Sequence, residues 1–119
     1  MTWHKVARER LVACLAMALL AIAPSATLAG EASAATISLV HFMSDGGAIF
    51  YISSTHTNVP ACASSNPNRF LIAGGTPGTK SQIAGLLSAY LQGKQIVVTG
   101  TGTCPGWGSE SVDYFYIAT

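Results

Sequence analysis

Beyond its first thirty-odd residues this chain alternates short apolar blocks with polar, glycine-containing breaks. The apolar blocks are rich in β-branched and aromatic residues, which favour strands. Ile37–Met43 and Ala48–Ser53 are two such blocks, and Asp45-Gly46-Gly47 between them is a hairpin signal. Ser54 to Asn68 is mostly polar and holds Pro60 and Pro67, so it reads as a long loop. Arg69–Ala73 predicts a short third strand with Phe70 and Ile72 facing one way, stopped by Gly74-Gly75.

The period then changes. Ile83, Leu86, Leu87, Tyr90 and Leu91 recur at i, i+3, i+4, i+7 and i+8, one apolar stripe along a helix. Thr76 offers an N-cap with Pro77 in the first helical position, and Thr79 with Gln82 offers a competing capping box. Gly93 suits the left-handed C-cap. Gln95–Thr101 and Val112–Ala118 return to strand character around an irregular stretch with Gly100, Gly102, Gly106 and Gly108. The order β-β-β-α-β-β, with one helix between the third and fourth strands, is that of the five-stranded OB-fold barrel. The fold class is therefore mainly β, a small OB-like barrel with one helix.

The start of the chain has a different logic. Lys5, Arg8 and Arg10 precede an unbroken apolar run from Leu11 to Ala23, and Pro24 ends it. Ala32-Ser33-Ala34 then supplies an A-x-A cleavage site, which completes the layout of a secretory signal peptide. The run of about 13 residues is short of the roughly 20 needed for a membrane-spanning helix. Residues 1–34 are expected to be removed, leaving 35–119 as a single domain, secreted or periplasmic. A cut after Ala29, with Thr27 two positions before it, is the alternative.

Composition sharpens this. Half of the residues are apolar, which excludes a disordered chain. After residue 34 the bases Arg69, Lys80 and Lys94 balance the acids Asp45, Glu110 and Asp113, so no steering to nucleic acid or anionic membrane is expected. Of three cysteines, Cys14 lies in the signal. Cys62 and Cys104 remain in a chain bound for an oxidising compartment and are expected to form a disulfide.

Candidate chemistry is sparse. There is no nucleophile elbow, no phosphate loop and no metal-ligand spacing, so neither a cofactor nor a metal is expected and the chain does not read as an enzyme. Asp45 is expected to bond its own turn, and His41 to sit in the barrel wall. Two features point to binding. Trp107 lies between Gly106 and Gly108, which leave an indole uncovered for stacking; the alternative is that the ring folds over the disulfide or closes the barrel mouth. His56, Thr57 and Asn58 follow Thr55 in a run of short hydrogen-bonding side chains suited to a neutral hydroxylated ligand.

The stretches Pro60-Ala61-Cys62, Arg69-Phe70, Thr76-Pro77-Gly78-Thr79-Lys80, Leu86 to Tyr90, Gly93-Lys94 and Gly100 to Gly108 resemble a group of small exported bacterial proteins. The order of elements, the export signal and the disulfide are similar to the receptor-binding B subunits of pentameric A-B toxins, the subtilase cytotoxin type in particular. That resemblance implies an OB-type barrel, a ring of five subunits and glycan binding. The expected function is an exported binding module for carbohydrate or a protein surface, with homo-oligomerisation. Its rival is an envelope or extracellular interaction protein without a small ligand, built on the aromatic last strand. A third reading is a small hydrolase or an inhibitor of one.

Overall fold

The computed structural model describes residues 28–119. The basic start, the Leu11–Ala23 run and Cys14 lie outside the described residues. The elements are β1 (Glu31–Phe42), β2 (Ala48–Ile52), a 3-10 turn (Ala61–Ala63), β3 (Arg69–Ile72), α1 (Thr79–Gln92), β4 (Gln95–Gly100) and β5 (Glu110–Ile117). The strands close into a barrel in the order β1-β2-β3-β5-β4, with β3 and β5 parallel and every other pair antiparallel. This is the expected β-β-β-α-β-β barrel with one helix, and Cys62 is joined to Cys104.

β1 makes closure possible. Ile37 to Phe42 pair with β2, and Glu31 to Thr36 pair with β4. Register breaks between Ala32 and Ala35 and between Ile37 and Leu39 bend the strand so that it serves both neighbours. The strand starts six residues before the sequence pattern predicts, because Glu31 to Ala35 carries no β-branched or aromatic side chain. Ala32 and Ala35 are small yet fully enclosed, packing in a cluster that contains Ile96 and Val98 of β4. The Ala34–Ala35 bond accordingly lies within β1.

Phe50, Phe70, Ile72, Leu86, Ile96 and Val98 form the centre of the core, and the Phe50 and Phe70 rings stack at 5.9 Å. Each such side chain contributes roughly 1.5–3 kcal/mol by leaving water. α1 plugs one end of the barrel through Leu86 and Ala89, with Ile83 partly buried.

The helix differs from its pattern in two ways. Tyr90 and Leu91, expected on the buried stripe, are 40% and 80% exposed. The barrel mouth accepts one narrow row, so the outer edge of the stripe stays in water. The start is also displaced: Gly78 is the N-cap and makes no side-chain cap bond. Thr79 Oγ1 instead donates to the Ala73 carbonyl at 2.7 Å and accepts the Thr76 N–H at 3.1 Å, fastening the β3–α1 connection. At the other end Gly93 takes the expected left-handed conformation (φ 63°), and the Lys94 N–H reaches the Ala89 carbonyl at 2.9 Å. Among the described residues no helix is long and apolar enough to cross a membrane.

Candidate functional site

The β4–β5 loop, residues 101–109, is a tethered platform. Trp107 (φ 61°) and Gly108 (φ 59°) both lie in the left-handed region, at the tip of a turn in which the Ser109 N–H bonds the Gly106 carbonyl. A tryptophan rarely adopts this conformation, which costs about 1–2 kcal/mol for a residue with a Cβ. Four ties hold it there. The disulfide fixes Cys104 to the 3-10 turn, with the Cα atoms 6.0 Å apart. Asn66 Nδ2 donates to the Gly108 carbonyl at 3.2 Å. Arg69 Nη2 donates to the Trp107 carbonyl, and Arg69 Nε to Ser109 Oγ at 2.6 Å. The indole is left 67% exposed, so it covers neither the disulfide nor the barrel mouth.

Arg69 organises the surrounding surface. Its Nη1 donates to Tyr51 Oη at 3.2 Å, and its guanidinium carbon stands 5.8 Å from the Tyr51 ring centre. The centre of the His41 ring lies 6.0 Å from that of Tyr51. His41, Met43, Ile49, Tyr51, Arg69 and Trp107 together line a cleft of about 230 Å³. Among the described residues no carboxylate pairs with Arg69. Three of its five N–H groups are used, and two remain for solvent or ligand.

The sequence places His56, Thr57 and Asn58 with Trp107, and the structure separates them. His56 is 4% exposed, its ring 4.4 Å from Phe70, so it meets no surface ligand. Thr57 pairs with Glu31 and lines a different depression, with Ser33, Val97, Thr99, Tyr114 and Tyr116. Asn58 is exposed in the left-handed conformation (φ 53°). Asp45 does bond its own turn, accepting the Gly47 N–H at 2.9 Å.

Sequence reasoning missed Arg69 and Tyr51 as site residues. The signal was a lone cation opening an otherwise apolar strand. It also read Glu110 as a loop residue. Glu110 opens β5 and is fully buried, its Oε1 accepting the N–H groups of Gly30 (2.7 Å) and Gly102 (2.9 Å). Oε2 lies 3.1 Å from His56 Nε2, without the alignment of a hydrogen bond. This pair is sealed and presents no face to a substrate. Among the described residues no cluster of His, Cys, Asp or Glu has a geometry that holds a metal. No known family matches this chain, and neither does any curated protein or solved structure.

Proposed function

We propose that this protein is an exported binding module that takes a carbohydrate across the β2–β3 face, with Trp107 as its stacking platform. OB barrels bind oligosaccharides and oligonucleotides on this face, between the β1–β2 and β4–β5 loops. The cleft draws on those parts: Met43 from the first loop, Ile49, Tyr51 and Arg69 from the strands, Trp107 from the second. One observation carries the reading, a large apolar ring kept in water on a strained, four-point mount. Strain held by its surroundings at an exposed residue is a mark of a functional position. Arg69 and Tyr51 supply donors for ring hydroxyls beside the indole face. The near balance of charge favours a sugar over a single-stranded nucleic acid, whose phosphates call for a basic groove. The resemblance to toxin B subunits supports the same ligand class and adds assembly into a ring.

Trp107→Gly tests this directly, because glycine takes the left-handed turn without strain while the ring is lost. On a glycan array the native protein is expected to retain a defined set of sugars and the variant to retain none. Equal binding by a variant of unchanged circular dichroism refutes the platform.

A second reading rests on β5. Beyond Ser111 this strand pairs, among the described residues, only with β4; Gln82 Nε2 donates to its Asp113 carbonyl at 3.0 Å, and the strand presents Tyr114, Tyr116 and Ile117 to solvent. Such an edge accepts an added strand, and a second copy of this chain would supply one. A monomer by native mass spectrometry at high micromolar concentration removes this reading and the ring of the first, and leaves the Trp107 platform standing.

A further inference from the structure

A buried carboxylate requires compensation, and two backbone amides are meagre for a full charge. Among the described residues Glu110 receives only these two hydrogen bonds, both on Oε1, and Oε2 and both nitrogens of His56 lack a hydrogen-bond partner. The first donor, the nitrogen of Gly30, stands one residue before β1. Two residues upstream Leu28 is already 66% exposed. Gly30 also tolerates no side chain: a Cβ there would meet Glu110 Oε2 at 2.2 Å and His56 Cδ2 at 2.6 Å. Thr27-Leu28-Ala29 precedes it with small residues at the two positions that an export peptidase reads.

We propose that the chain is processed between Ala29 and Gly30, and that the new α-ammonium of Gly30 docks on Glu110 as the buried counter-ion that completes the barrel. A signal peptidase adds water across this amide. The hydroxyl goes to the Ala29 carbonyl carbon, which leaves as a carboxylate, and the amine released at Gly30 is protonated. The same nitrogen, 2.7 Å from Oε1, then carries a positive charge and three donors instead of one. A cut after Ala34 would instead remove Glu31 to Ala34 from β1, with the Glu31–Thr99 and Ala32–Val98 pairings and the Gly30 donor. Because Gly30 is buried once folded, the peptidase reaches this bond before the barrel closes.

The full 119-residue chain, expressed for export, is the material for the test. Intact mass and N-terminal sequencing are expected to give a protein that starts at Gly30; a start at Ala35, or retention of upstream residues, overturns the proposal. The folded product is then treated with acetic anhydride. Lys80 and Lys94, both exposed, are expected to acetylate at least tenfold faster than the α-amine, which reacts freely only after denaturation. An α-amine as reactive as the lysines in the folded protein overturns the ion pair. In Glu110→Gln the protection is expected to fall toward one. Should that variant not fold, the native reactivity ratio decides alone. None of these readouts depends on sugar binding.

Discussion

The disulfide between Cys62 and Cys104 couples stability to the site, and its removal has a calculable effect. The bridge closes a loop of about 43 residues, and the chain-entropy relation gives it roughly 4 kcal/mol at 25 °C. For a domain of about 90 residues, whose unfolding entropy is on the order of 190 cal/mol/K, this corresponds to a fall in Tm of about 20 °C. The folded state should nevertheless survive in Cys62→Ala/Cys104→Ala. Asn66 still reaches the Gly108 carbonyl, and Arg69 still holds Trp107 and Ser109, so the two loops stay together without the bridge. The loss therefore arises mainly in the unfolded chain, which gains freedom. Urea denaturation followed by far-ultraviolet circular dichroism is the assay, because the exposed indole changes environment little on unfolding. The expected result is a midpoint shift equivalent to about 4 kcal/mol with native spectra retained in water. A loss below about 1 kcal/mol refutes the entropic account. A double variant unfolded in water would show that the remaining ties do not hold the loop.

Two further contrasts test the packing. Gly100→Ala would drive a Cβ to 2.2 Å from Glu110 Oε1 and should cost more than about 3 kcal/mol or abolish folding. Gly93→Ala meets open space but keeps a positive φ, so about 1–2 kcal/mol is expected by thermal melting. Leu86→Ala empties the barrel plug and should cost about 2–5 kcal/mol, whereas Leu91→Ala, on the same predicted stripe, should stay within about 0.5 kcal/mol. Equal costs at Leu86 and Leu91 would return the helix to the wider stripe read from the sequence.

The sequence by itself determined the order of elements. Ile37–Met43 and Ala48–Ser53 around Asp45-Gly46-Gly47, the helical spacing of Ile83 and Leu86, and the stop at Gly93 are local signals, written in neighbouring residues. From that order and two remaining cysteines, the barrel and its disulfide followed. What the sequence could not give was anything that depends on which distant residues share a space. Half of the first six residues of β1 are alanines, and the place of Ala32 and Ala35 in a strand is set by the interior of the barrel and not by propensity. The helix stripe is cut to one row by the width of the opening it fills. Trp107 was visible as a candidate from its flanking glycines, but its partners Arg69, Tyr51 and His41 come from three different strands. His56 looked like a surface group in a polar loop, and only the fold carries it inward to Glu110. That carboxylate fits because Gly30 and Gly100, remote in sequence or placed across a loop, leave their side-chain volume to it, while Gly102 donates its N–H. Periodicity reports the surroundings of a residue along the chain; burial and charge compensation are settled between segments, where tertiary structure alone brings them within reach.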